Sequence, residues 1–207
     1  MSKLAITLFV LVSLVSSAVY ATDRCTYNKD AMLALDVNSF DQDLAGGGGG
    51  WRAIANIPGC ELAAADLLAA YQAEHPDSGS ILAWHEGQMR AAGGQYEKAI
   101  PLLESARKPE DQDKFGWNFY VDATLAFLRN DKPALQKAQQ QLAAIAYPEG
   151  AGLPPLMDGY VEFQPRTGQP VIRMRWPLNI AEVDGLLACF GKSYKEAYGS
   201  SCRTSDR

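Results

Sequence analysis

The sequence predicts a mainly helical chain of paired antiparallel helices, followed by a short β-hairpin and stapled by a disulfide at each end. Three observations predict it. Small residues recur at a step of 35 through the middle of the chain, at Ala64, Ala99 and Ala134. Four cysteines fall two early and two late, at Cys25, Cys60, Cys189 and Cys202. Further on, Ile172, Met174 and Trp176 alternate with Arg173 and Arg175, the two-residue period of a half-buried strand.

The first segment, residues 1–21, has the order of a secretory signal. Met1-Ser2-Lys3 supplies one positive charge, Leu4 to Val15 an apolar run, and Val19-Tyr20-Ala21 the small or tolerated residues that a signal peptidase reads. Cleavage is expected after Ala21; an uncleaved anchor helix is the alternative, although the run is too short to span a bilayer. Residues 22–207 then form one domain, with a repeat core over 51–147 and a C-terminal wrap and cap over 148–207. No later stretch is apolar for the roughly 18 residues that a membrane helix needs, so no insertion is expected after cleavage. The formal net charge of −5 gives no long-range attraction to nucleic acid or anionic lipid. The compartment expected is periplasmic or secreted. An even cysteine count there favours two disulfides, and of three possible pairings Cys25–Cys60 with Cys189–Cys202 is the economical one. A zinc site would need closer ligand pairs.

A short helical pattern spans Ala31 to Leu35, a polar stretch Asp36 to Asp43, and then Gly46 to Gly50. A phosphate loop would continue with Gly-Lys-Ser or Gly-Lys-Thr, whereas Trp51-Arg52-Ala53 follows here, so the glycines read as slack loop. The first unit, Trp51 to Tyr71, has a short first helix before Pro58-Gly59, and Pro76 closes its second. The middle unit pairs a helix over Ile81 to Ala92 with one over Tyr96 to Ala106, turning at Gly94, where a left-handed backbone is cheap for glycine. The third, Asn118 to Leu142, carries Arg129 where glycine is expected and Pro133 in a first helical turn, which tolerates it. Alanines at a helix crossing let the pair approach.

Pro148, Gly150, Gly152, Pro154 and Pro155 then mark an irregular wrap. Tyr160 to Phe163 and Val171 to Trp176 read as a β-hairpin. Its Arg166, Arg173 and Arg175 form the one basic cluster on an acidic chain, either a partner surface or a solvated face. Asn179 is placed to cap a helix through Leu187. A short helix around Tyr194 to Tyr198 lies inside the Cys189–Cys202 span.

Gly87, Gly94, Tyr96, Ala99, Leu103 and Ala106 stand at the spacing of the tetratricopeptide consensus, so the unit over residues 80–113 resembles a repeat of that family. The flanking units resemble it less. The resemblance implies stacked helical hairpins that bind a peptide or protein surface along a concave face, made by the first helix of each pair. On this chain that face would present Trp84 and Gln88, with Phe119 at the position matching Trp84. Filling the core is the alternative role for both aromatic residues.

Catalytic signatures are sparse. The two histidines are His75 and His85, and His85-Glu86 lacks the second His of a zinc-protease helix. There is no Gly-x-Ser-x-Gly elbow, and the carboxylates are scattered. Asp111 to Asp122 echoes a calcium loop, but Phe115 replaces an oxygen ligand and Asp122 the bidentate Glu. No metal and no cofactor are predicted. The expectation is an exported, non-catalytic protein-interaction module with a protein or peptide partner. The alternatives are a carboxylate-dependent hydrolase or cell-wall-modifying enzyme using residues 151–207, and a dedicated inhibitor of an exported enzyme.

Overall fold

A computed structural model of the chain describes residues 23–42, 49–150, 152–164 and 171–203. The leader, most of the glycine run and Arg166 lie outside the described residues. After a 3-10 turn at Asp23–Cys25, helix α1 covers Lys29–Leu33 and begins where the Asn28 side chain accepts from the Ala31 N–H at 3.1 Å. A π turn follows at Asn38–Gln42. Then come α2 (Trp51–Ala55), α3 (Glu61–Glu74), α4 (Ser80–Ala92), α5 (Tyr96–Ser105), α6 (Trp117–Leu128) and α7 (Lys132–Ala143). Strands β1 (Leu156–Met157), β2 (Tyr160–Phe163) and β3 (Ile172–Arg175) precede α8 (Ile180–Ala188) and α9 (Tyr194–Tyr198).

The helices pack largely in chain order. α3 lies on α4, α4 on α5 and α6 on α7, while α2 rests on α3 and α5 on α6. α8 covers α6 and α7, and α9 packs on α8 and reaches back to α4. Two buried clusters result. Leu33, Phe40, Trp51, Ile54, Leu67, Leu68, Tyr71 and Leu82 fill the first. Trp84, Ala99, Leu103, Tyr120, Leu125, Leu135, Leu142, Val183, Leu186 and Tyr194 belong to the second. α4 serves both, with Leu82 in one and Trp84 and Ala91 in the other. At roughly 1.5–3 kcal/mol per fully buried large apolar side chain, this burial is the main favourable term.

Both disulfides form, Cys25–Cys60 and Cys189–Cys202, which selects one of the three pairings. Each holds an end of the chain to the helical body: the first ties the N-terminal turn to the start of α3, the second closes the span around α9.

The step of 35 holds between the first two units and slips in the third. α5 begins 35 residues after α3 (96 − 61), but α7 begins 36 after α5 (132 − 96). The left-handed turn residues shift likewise, from Gly59 (φ 90°) and Gly94 (φ 79°) to Asn130 (φ 57°). Ala64 and Ala99 are fully buried, whereas Ala134 is only partly so and Leu135 takes the buried place. The α4–α5 crossing is the tightest that the consensus glycine explains. A Cβ on Gly87 would lie 2.7 Å from Leu103 Cγ and 3.3 Å from the Ala99 carbonyl oxygen.

The expected hairpin is a three-stranded antiparallel sheet in the order β1-β2-β3. β1, in the proline- and glycine-rich wrap, is too short to show a period. Asn179 precedes α8 as expected but does not cap it: its φ is 65° and its side chain makes no capping bond. Asn tolerates that left-handed turn better than most residues. α9 has the better start, a capping box in which Ser193 and Glu196 bond each other's backbone N–H.

Candidate functional site

The α4 face that the sequence marks for a partner is covered. Trp84 is 2 % exposed and packs at 4.8 Å from the Trp117 ring and 4.9 Å from Tyr120. Gln88, 7 % exposed, donates from its amide to the Tyr120 hydroxyl at 3.2 Å and the Tyr194 hydroxyl at 3.4 Å. Phe119 is half-buried against the same core. The physical cause is α9, which lays Tyr194 and Tyr198 over α4 and α6; the Tyr120 hydroxyl donates to Tyr198 at 3.2 Å. Burial, with neighbouring charge, pushes the Tyr120 and Tyr194 hydroxyls well above the ordinary tyrosine range. Trp84 and Gln88 are therefore interior groups: Trp84 fills core, the second of the two roles read for it, and Gln88 does not stand on an open face.

Beside this seam the sequence hides a polar node. Asp36 to Asp43 reads as a polar stretch, and its π turn buries Phe40 and Asp41. Asp41, 1 % exposed, accepts from Trp51 Nε1 at 2.8 Å and contacts His85 Nδ1 at 2.8 Å. Arg52 adds a bond from Nε to the Asp41 carbonyl at 2.7 Å and a long ion pair at 3.4 Å. Burial pushes the Asp41 carboxyl up, but His85, Trp51 and Arg52 outweigh it and hold the group below the usual carboxylate range. The signal for this node was a matched trio on three separated segments, and no spacing rule joins residues 41, 51 and 85. The arrangement orients an imidazole as an acid–base dyad does, but Asp41 also ties the N-terminal segment to α2 and α4.

Arg173 and Arg175 share one face of the sheet. Pairing in register places Tyr160 opposite Arg175 and Glu162 opposite Arg173. Arg173, 54 % exposed, lies 3.7 Å from Glu162 and 4.0 Å above the Tyr160 ring centre. Arg175 is half-buried and pairs with Asp184 on α8. On and beside the outer strands Leu156, Met157 (62 % exposed), Val171 and Ile172 stand in solvent. Arg166 lies outside the described residues, so the expected three-arginine cluster is described as two.

The carboxylates of the C-terminal segment are largely engaged. Glu162 faces Arg173, Glu182 binds Arg203 at 2.8 Å, Asp184 pairs with Arg175, and Glu196 closes the α9 capping box. Asp113 caps α6, accepting from the Trp117 and Asn118 N–H groups at 2.7 Å each, and Asp122 pairs with Arg107 at 2.5 Å. Among the described residues, shallow cavities also lie elsewhere. One of about 370 Å³ is lined by Asp36, Tyr71, Glu74 and His75, and one of about 300 Å³ sits between α6 and α7. Among the described residues no cluster of three His, Cys, Asp or Glu side chains is placed to hold a metal ion, and no helix is long and apolar enough to cross a membrane. No protein-family model, curated protein or solved structure matches the chain.

Proposed function

We propose that this is an exported, non-catalytic protein-interaction module of tetratricopeptide-like build, and that it meets its partner through the C-terminal sheet. The observation that carries the reading is exposure at both edges of the sheet among the described residues: Met157 on β1, Val171 just before β3, and Ile172 and Arg173 on it. Exposed sheet edges carrying apolar side chains are places where another chain can pair. Export is supported by the signal-like order of residues 1–21 and by two disulfides, which persist in oxidising compartments. The tetratricopeptide-like build is supported by the close α4–α5 crossing at Gly87, Ala99 and Leu103, and the slipped third pair departs from it. Among the described residues Glu162, Glu182 and Asp184 are held in ion pairs and Glu196 in a helix cap, which does not favour the hydrolase alternative.

The test is site-specific photo-cross-linking. A photoreactive residue at Met157 or Ile172 should give a discrete adduct in the exported protein, and one at Gln141 on α7 should not. Equal labelling from all three positions, or none from the sheet, would refute the reading.

A further inference from the structure

The open side of β3 is a slot for one added strand, and its chemistry specifies the strand. The Trp176 N–H donates to the Gly159 carbonyl at 2.8 Å, and this bond sets the phase of the β2–β3 ladder. In an antiparallel ladder the residue pairs that exchange main-chain bonds recur every second position. Val161 with Met174 and Phe163 with Ile172 are therefore the bonded pairs, and the N–H and C=O groups of Arg173 and Arg175 turn away from β2. β3 is an edge strand, so these four groups face outward, ready to pair with another backbone.

We infer that β3 takes up an extended segment of a partner protein with acidic and apolar residues in alternation, by strand addition at Arg173 and Arg175. This rests on the interaction function proposed above. Strand addition draws affinity from main-chain bonds and specificity from alternate side chains. An acid on the incoming strand would stand beside Arg173, about 5 Å away, while Glu162 on β2 would be twice as far, so attraction prevails. The Tyr160 ring beneath the guanidinium holds it in place. Apolar residues at the intervening positions would extend the face of Ile172, Phe163 and Met174. A second copy of this chain fits poorly. An antiparallel β3–β3 pairing that uses all four outward groups of each copy sets Arg173 against Arg175, and like charges directly opposed are destabilising.

The experiment uses residues 22–207 with both disulfides intact and fluorescence anisotropy. The probe is a labelled octapeptide of alternating Glu and Val, compared with its Lys–Val counterpart and with Glu–Val peptides N-methylated at either alternate set of amides. Saturable binding of the Glu–Val probe is expected, with the Lys–Val peptide about tenfold weaker and one N-methylated peptide silent. Arg173→Glu, at an exposed position, should invert the charge preference with an unchanged circular dichroism spectrum. No binding up to about 1 mM, or indifference to both N-methylation patterns, would overturn strand addition. If sheet cross-links persist in that case, the interaction function stands without it; if they also vanish, both fall. A dimer cross-linked through Ile172 would replace the acidic partner by a second copy and likewise overturn the inference.

Discussion

Asp41→Ala removes a buried carboxylate on which three segments converge. It deletes acceptors for Trp51 Nε1 and His85 Nδ1, both at 2.8 Å, and the longer contact to Arg52 at 3.4 Å. Removing one member of a buried charge pair costs about 3–5 kcal/mol, a range that already contains the penalty for stranding the Trp51 N–H. Against a typical total of about 5–15 kcal/mol, that is a large share of the stability. Asp41→Asn keeps the shape and an acceptor but not the charge, and should cost roughly 2 kcal/mol. The sign with pH follows from the lowered carboxyl. Its stabilisation is complete above the unfolded-state value and is lost as pH falls through the folded one, so the gap between wild type and Asp41→Asn should close on acidification. Urea unfolding followed by tryptophan fluorescence, with disulfides intact, reads both effects between about pH 7 and about pH 3. A loss below about 1 kcal/mol for Asp41→Ala at neutral pH, or a gap that does not narrow at all between neutral and acid pH, would show that the node is not the clamp described.

Three further outcomes are expected. Replacing Cys25 and Cys60 by Ser should cost about 4 kcal/mol and replacing Cys189 and Cys202 about 3 kcal/mol, from chain closures of 35 and 13 residues; differential unfolding of the two variants checks the order. Gly87→Ala should lose about 1 kcal/mol in urea titration, because the crowding of Leu103 outweighs the better helix propensity of Ala; in a Leu103→Ala background the same change should instead gain about 1 kcal/mol. Ser193→Ala removes a capping bond and should lower stability by about 1 kcal/mol in thermal unfolding, with earlier amide exchange in α9.

Much of the architecture was legible because it is local. Gly94 marks its turn, Pro76 its helix end, and the run from Ile172 to Trp176 its strand, although exposure along that strand does not alternate as a half-buried pattern would. The pairing of Cys25 with Cys60 was legible from economy of closure. Slippage of the third unit was not, because alanines at a constant step look alike whether buried or half-exposed; only packing separates Ala134 from Leu135. Asp41 was illegible for a related reason. An aspartate among polar residues is ordinarily solvated, and its burial is decided by Trp51, Arg52 and His85 arriving from other segments. The cover over Trp84 and Gln88 comes from Tyr194, more than 100 residues away in sequence, which no repeat pattern encodes.

The commitment of α4 supports placing the proposed partner elsewhere. Between Leu82 and Ala91, Leu82 enters one core and Trp84 the other, His85 meets Asp41, and Gln88 meets the tyrosines. Glu86 accepts from Gln72 at 3.0 Å and pairs with Arg90 at 3.1 Å, and Arg90 in turn reaches Asp66 at 2.7 Å. Opening such a helix to a ligand would expose two aromatic clusters and strand several buried polar groups, each costing about 1–3 kcal/mol. A partner that had to displace α9 would also work against the Cys189–Cys202 closure and the Glu61–Lys195 pair at 2.5 Å. The sheet asks for none of this. Among the described residues its outer strand presents unpaired backbone, an arginine over a tyrosine ring and apolar side chains in solvent, so the strand addition proposed above would leave the helical body as it is.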